Sequence, residues 1–212
     1  MLISSYSLKG TDDILIVMIH PNVSEQSFEI KNGIVHIYDA KNNTTLGYNF
    51  LSASKIIPDL VKHNGPFELS QKEIDTLNQV LNQNGFSDQI KFDPDPKFVV
   101  GYVESTKPHP DSDHLQITQT KINNGKTVQI VSGSPNMREH IKVVVAKVGA
   151  IMPSGMIIEP GKLRGVESDG MICAGYELNL KNAPQKPGAL ILPDEYQVGS
   201  KFDFNKANHL FD

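Results

Sequence analysis

The stretch Leu115–Val131, LQITQTKINNGKTVQIV, places a central Asn-Asn-Gly between two runs rich in Ile, Val and Thr. Such β-branched residues favour strands, and Asn-Gly supplies the positive φ angles of a tight hairpin turn. We therefore predict strands at Leu115–Ile122 and Thr127–Val131, joined at Asn123–Gly125. The first strand shows no clean alternation of polar and apolar residues, so its core-facing side stays open at this point.

The same composition predicts three more strands on either side of this stretch, at Phe98–Ser105, Lys142–Val148 and Gly170–Ala174. About five short strands in roughly 90 residues leave little room for helices. This spacing is typical of a small β-barrel or β-sandwich. The second half of the chain is therefore predicted to be mainly β.

The first half predicts a small α+β domain. Ile14–His20 has the apolar run of a buried strand, and Asn32-Gly33 is placed to turn Phe28–Ile30 back onto Ile34–Tyr38 as a hairpin. A helix is then predicted over Gln71 to about Gln83. Its start is marked by Ser70 and Glu73, the pattern of a capping box, and Asn84-Gly85 is a stop signal. Nothing in this half indicates chemistry, so its role stays unknown.

A proline-rich tetrapeptide, Asp93–Pro96, separates the two halves. Two prolines in four residues remove two backbone donors and favour extended conformations, which suits a short linker. We predict an α+β domain at residues 1–92, a linker at 93–97 and a second domain at 98–212. The alternative is a proline-bearing loop within a single domain.

The charge of the chain is distributed unevenly between the halves. The formal net charge of 212 residues is −4, made up of −5 over residues 1–95 and +1 over 96–212, which holds both Arg. Within 97–186 the net charge is +3. An acidic total therefore does not exclude a nucleic-acid partner for the second half.

Several classes of protein are disfavoured by composition. One cysteine cannot form an internal disulfide or a four-cysteine zinc site. No apolar run approaches the ~18 residues of a membrane span, and the run Ile14–Ile19 lacks the flanks of a signal peptide. We expect a soluble, cytoplasmic protein without membrane contacts.

The segment His109–His114 holds two imidazoles and two carboxylates within six residues. These groups could bind zinc or a similar cation, but no distant ligand completes the set. The prolines at 108 and 110 favour a tight polar turn between strands, with Asp side chains bonding backbone N–H groups. We prefer the turn, and a local ligand contact is the remaining alternative.

Two further segments suggest anion binding. Ser132–Asn136, SGSPN, follows a strand and could present N–H and hydroxyl groups to a phosphate, although it lacks the Lys of a nucleotide-binding loop. In Lys162–Met171, Lys162 and Arg164 alternate with Leu163, so a strand would place both cations on one face, where they could bind a sugar-phosphate backbone. An ordinary turn and a solvated strand face are the respective alternatives.

The sequence offers little for catalysis. It has no nucleophile-elbow motif with a Ser-His-Asp order, and Cys173 lies between apolar neighbours without a basic residue, as a core residue would. Within 97–186 the only aromatic residues are Phe98, Tyr102 and Tyr176, few for a single-strand stacking platform. An RNA-binding domain of this composition should recognise folded shape and backbone more than splayed bases.

Six ordered segments within Val99–Leu180 resemble the tRNA-binding domain found early in the bacterial phenylalanyl-tRNA synthetase β chain. They are VGYV (100–103), HPDSDHL (109–115), QIVSGSPN (129–136), VGAIMPSG (148–155), KLRGVESDGMIC (162–173) and EL (177–178). The resemblance implies an OB fold, a five-stranded β-barrel. The two-domain arrangement is similar to the free-standing YtpR-like proteins, in which a small α+β domain precedes the OB domain. A chain of this length leaves no room for the catalytic domains of a synthetase.

The resemblance implies that the second domain binds tRNA, non-catalytically and with no cofactor or metal. The candidate contacts carried over are Ser132, Asn136, Lys162, Arg164, Ser168 and Met171. Three positions depart from the family pattern: His114 replaces the usual Lys, and His140 and Asn179 stand where Gly is common. The alternative function is a protein-interaction or chaperone-like module, since the same OB domain can form a homodimer or bind a translation-related protein. A metal-dependent hydrolase would rest on residues 109–114 alone.

Overall fold

The computed structural model describes all 212 residues, which form two compact units, Met1–Pro94 and Asp95–Asp212. Each unit has its own sheet and its own buried core. Strands outnumber helices in both, which confirms the predicted mainly β class. None of the helices has the length and apolar character that crossing a membrane requires.

The first unit is a six-stranded antiparallel sheet with one helix. Its strands are β1 (Ile3–Ser7), β2 (Leu15–Met18), β3 (Gln26–Lys31), β4 (Ile34–Asp39), β5 (Thr45–Phe50) and β6 (Asn64–Phe67). They lie in the order β3-β4-β5-β2-β1-β6. Two 3-10 turns, Ala53–Lys55 and Pro58–Lys62, precede β6, and α1 (Gln71–Gln83) follows it.

Local sequence signals place the β3–β4 hairpin and helix α1 correctly, whereas β1 and β6 were not predicted. Asn32 and Gly33 have φ angles of 51° and 80°, so the β3–β4 hairpin turn is confirmed. Helix α1 has the predicted capping box, with Glu73 Oε2 accepting from Ser70 N at 2.7 Å. Its buried face (Ile74, Leu77 and Leu81) packs with Tyr48 and Phe50 of the sheet in one core.

The second unit is a nearly closed barrel with additions. Its strands are β7 (Phe98–Pro108), β8 (Gln116–Lys121), β9 (Thr127–Ser132), β10 (Lys142–Ala146), β11 (Gly161–Leu163), β12 (Val166–Ser168), β13 (Met171–Ile172) and β14 (Ile191–Leu192). The barrel order is β13-β10-β7-β8-β9, and Asp169 N donates to Gln129 O at 2.9 Å where β13 approaches β9. This is the five-stranded arrangement of an OB fold, as predicted.

The core-facing side of β8 carries threonines in place of apolar residues, which explains its missing alternation. Thr118 and Thr120 are fully buried, and Thr118 Oγ1 donates to Ile130 O at 3.0 Å. On the opposite face, Ile117 packs in a separate small cluster with Val131. With polar residues on the buried face, and a buried Ile117 beside the exposed Lys121 on the other, the strand has no clean polar and apolar faces in its sequence.

The segment after β13 completes the barrel core. Strand β14 pairs with β10, and the short helix α2 (Phe204–Ala207) follows. Val100 N donates to Ser200 O at 2.9 Å, and the buried Phe202 donates through its backbone N–H to Phe98 O at 2.9 Å. Residues 199–202 therefore lie along the first barrel strand.

A partly buried ion pair holds the start of the second unit to the barrel. Lys147, only 8% exposed, donates from Nζ to Asp95 Oδ1 at 2.5 Å and to Asn123 Oδ1 at 3.0 Å. Asn123 Nδ2 also donates to Asp95 Oδ1, at 2.7 Å. Burial alone would raise the pKa of Asp95, but these hydrogen bonds and the charges of Lys147 and Lys97 outweigh it, so the pKa is lowered.

Two departures from the family pattern coincide with unusual backbone conformations. His140 has φ of 63° and Asn179 has φ of 53°. This left-handed region is accessible to glycine without strain and disfavours side chains with a Cβ. Glycine is therefore common at these positions for a conformational reason. Of the two replacements, His140 is the more strained, because Asn adopts this conformation more readily.

Candidate nucleic-acid interface

The cationic segment predicted to bind a backbone forms a short hairpin, β11–β12, that is attached to β9. Ser168 Oγ accepts from Val131 N at 3.1 Å, and Gln129 Nε2 donates to Glu167 O at 2.8 Å. Val166 packs against the small cluster on the outer face of β8 and β9. The hairpin is therefore positioned by contacts that its own sequence does not reveal.

The prediction that Lys162 and Arg164 share one strand face was wrong. Strand β11 ends at Leu163, and Arg164 and Gly165 form the turn with φ angles of 46° and 83°. Two successive left-handed residues are the mark of a tight hairpin turn. Lys162 lies on the strand and Arg164 at the tip of the hairpin, so the two cations are close in sequence but not aligned.

Both cations are exposed, and each has a partner. Lys162 Nζ lies 3.9 Å from Glu167 Oε1, an exposed carboxylate opposite it in the hairpin. Arg164 Nη1 donates to the backbone oxygen of Asp111 at 2.8 Å. Exposed ion pairs contribute about 0–1 kcal/mol, so a phosphate can compete for Lys162.

The segment His109–His114 is a structural turn beside this hairpin. His109 is buried, and its Nδ1 accepts from Asp111 N at 3.0 Å, so the ring proton is on Nε2 and is donated to Leu163 O at 3.1 Å. Ser112 Oγ accepts from Leu115 N at 3.3 Å. No group of three or more His, Cys, Asp or Glu side chains is arranged to hold a metal ion. The turn thus braces the tip of the hairpin, at Leu163 and Arg164.

The loop after β9 is braced in a similar way. Ser132 is buried, and its Oγ accepts from Ser134 N at 3.2 Å. Asn136 makes two bonds to one residue of a distant segment: Nδ2 donates to Ala189 O at 2.9 Å, and Oδ1 accepts from Ala189 N at 2.8 Å. Asn136 and Ser168 therefore have structural partners inside the fold, whereas Lys162 and Arg164 are exposed and have surface partners.

A groove runs between this loop and β13. Its first part, about 290 Å³, is lined by Ser132–Ser134 and by Met171, Tyr176 and Glu177. Its second part, about 430 Å³, shares the last three residues and continues to Pro153–Met156. The structure thus brings together Ser132 and Met171 of the predicted set, and it adds Tyr176 and Glu177, which sequence reasoning missed as site residues.

Two groups that could suggest catalysis are buried in the fold. Burial raises the pKa of the Cys173 thiol to about 12, in keeping with the predicted core position. In the first unit, Glu29 Oε1, the His36 ring and Thr45 Oγ1 are linked at 3.1 and 2.8 Å, the order of a hydrolase triad. Thr45, however, is only 3% exposed and its hydroxyl donates to Asp88, so a substrate has no access to it.

Comparisons with known proteins cover both units. Residues 98–201 match the family described as "Putative tRNA binding domain", and residues 21–93 match "Domain of unknown function (DUF4479)". In the aligned region, the phenylalanine–tRNA ligase beta subunits of Oceanobacillus iheyensis and Acinetobacter baylyi are 48% and 45% identical to this chain. These matches span 50% and 48% of this chain but only 14% and 12% of the ligase subunits.

One relative is similar over both units. The "Putative tRNA-binding protein YtpR" of Bacillus subtilis (strain 168) is 42% identical over 201 residues, which are 94% of this chain and 98% of that protein. The similarity therefore extends through the α+β unit as well as the barrel. On this basis the chain belongs to the YtpR family of tRNA-binding proteins.

Proposed function

We propose that this protein binds folded tRNA in the cytoplasm, without catalysing a reaction, through the OB barrel of its second unit. The observation that carries the proposal is the position of the β11–β12 hairpin. It lies against β9 and beside the His109 turn, where it presents Lys162 and Arg164 to solvent. In OB folds the second and third strands, here β8 and β9, and the adjoining loops are the usual nucleic-acid surface.

The candidate residues divide into two roles. Lys162 and Arg164 contact phosphates of the tRNA backbone, and the half-buried Met171 offers an apolar contact in the groove. Ser132, Asn136 and Ser168 hold the surrounding loops through the hydrogen bonds described above, and of these Ser132 also lines the groove. Phosphate contacts of this kind position the RNA and carry no base information.

The charge of the barrel predicts modest affinity. The net charge over residues 97–186 is only +3, and Glu167 lies beside Lys162. The barrel can therefore neutralise few phosphates of an RNA backbone. Each neutralised phosphate releases counterions, so binding weakens as salt is added. We expect a weak and salt-sensitive complex.

A filter-binding titration over a range of salt concentrations tests the proposal. Changing Lys162 and Arg164 together to Ala should weaken tRNA binding and reduce the slope of log K against log salt by roughly 1–2. A matched control changes Lys9 and Lys91, two exposed lysines of the first unit, to Ala. The control removes the same charge and should leave the slope unchanged.

An unchanged slope in the Lys162/Arg164 variant would overturn the assignment of these two residues. Loss of the slope equally in both double variants would show a general effect of charge. Recovery of the full-length protein from cells with a protein partner and without enriched tRNA would favour the protein-interaction alternative.

A further inference from the structure

The groove beside β13 has features that backbone binding does not use. Tyr176 is 36% exposed and Met156 is 49% exposed, and both lie in its second part with Met171. Of the three aromatic residues within 97–186, Phe98 packs on Phe204 and Tyr102 bonds His140. Tyr176 is therefore the one of these three aromatic side chains that lines this groove.

The carboxylate of Glu177 is held in one orientation at the same place. Its Oε2 accepts from Ala174 N at 2.7 Å, which fixes the side chain against the turn after β13. Its Oε1 has no protein partner, although Glu177 lines both parts of the groove. A fixed carboxylate repels a phosphate and accepts hydrogen bonds from paired N–H donors.

We propose that this groove binds one unpaired guanine base of the bound RNA. The base stacks on the Tyr176 ring, with the methionine side chains 171 and 156 along its other edges. Its N1–H and N2–H groups donate to the Glu177 carboxylate. Guanine is the base whose Watson–Crick edge presents two adjacent N–H donors. The negative charge of Glu177 excludes a phosphate from the same position.

The proposal rests on the proposed function, since it deepens the RNA-binding role of the same surface. It assigns recognition of one base to a barrel whose other contacts are to the backbone. The groove adjoins Ser132 and Met171, so an RNA held by the hairpin can place a splayed nucleotide there.

The first experiment uses mononucleotides with the full-length protein. Millimolar GMP should shift the backbone amide NMR signals of Gly133, Ala174 and Tyr176, and AMP should shift them several-fold less. Tyr176→Ala should abolish the shifts, and Tyr176→Phe, which keeps the stacking ring, should retain them. Glu177→Gln keeps an oxygen for Ala174 N but loses the carboxylate, so it should remove the preference for GMP over AMP.

The second experiment measures tRNA binding over a range of salt. Tyr176→Ala should weaken binding about tenfold with an unchanged salt slope, because stacking releases no counterions. The Lys162/Arg164 variant changes the slope, so failure of the base site and failure of the backbone site give different results.

The inference is overturned if GMP and AMP shift the signals equally or not at all. It is also overturned if Tyr176→Ala binds tRNA as the unchanged protein does while the Lys162/Arg164 variant loses affinity. A thermal unfolding curve for each variant checks that its fold is intact, which we expect because Tyr176 is 36% exposed.

Discussion

Replacing Lys147 by Met should destabilise the second unit and leave the first unchanged. Methionine preserves most of the buried aliphatic volume but removes the ammonium group that bonds Asp95 and Asn123. The side chain of Lys147 is 10% exposed and that of Asp95 is 44% exposed, so the pair is intermediate between buried and surface. Exposed pairs contribute about 0–1 kcal/mol and breaking a buried pair costs about 3–5 kcal/mol, so we expect a loss of about 2 kcal/mol.

Differential scanning calorimetry of the full chain measures this loss with an internal reference. For a unit of this size, about 2 kcal/mol lowers the midpoint of unfolding by roughly 6–8 °C. The transition of the first unit should not move. Lys126→Met, an exposed lysine at the same hairpin turn, is the matched control and should shift neither transition.

The loss should also depend on pH, with a sign set by Asp95. Its pKa is lowered in the folded state from the ordinary value of 3.8, so its contribution is complete above that value and disappears as the pH falls through the folded pKa. The difference between Lys147→Met and the unchanged protein should therefore shrink in strong acid. An equal difference at neutral and acid pH, or an unaffected midpoint at neutral pH, would refute the role given to this pair.

Three further changes have defined outcomes. Ser168→Ala leaves Val131 N without its acceptor and should lower the urea stability of the second unit by about 1–2 kcal/mol; an unchanged midpoint would contradict the attachment of the hairpin. His140→Gly should raise the free energy of unfolding of the second unit by about 0.5–1 kcal/mol, because relief of the left-handed strain exceeds the conformational entropy that glycine loses on folding. A lower free energy of unfolding would show that the bond to Tyr102 matters more. Deleting residues 1–90, which carry much of the acidity of the chain, should raise affinity for unrelated RNA if this unit repels it, and equal affinity would discard that idea.

Local signals were sufficient for much of the fold. The Asn-Gly turn at Asn32, the capping box at Ser70 and the turn at Asn123–Gly125 each depend on residues within a few positions of one another. Such signals can be recognised in the sequence, because the side chains that favour a backbone conformation lie within a few residues of it. The strand count left a barrel or a sandwich open, and the resemblance of the six ordered segments to the tRNA-binding domain indicated the barrel.

The candidate site was harder to predict because its geometry depends on distant partners. Asn136 appeared free for a ligand, yet its amide bonds Ala189, 53 positions later. Arg164 appeared to continue a strand, yet with Gly165 it closes a hairpin. Tyr176 had no neighbour in sequence that marked it, because its groove is assembled from four separate segments.

The pairing of β7 with residues 199–202 has a consequence for the order in which the units acquire structure. Besides β8 and β10, the first barrel strand has a third partner about one hundred residues later in the chain, whereas the first unit needs nothing beyond Pro94. During synthesis the α+β unit can fold while the barrel strands are still emerging from the ribosome. The barrel must wait for its last partners, so a ribosome paused before residue 199 should carry a folded first unit and an RNA-binding surface that is not yet assembled.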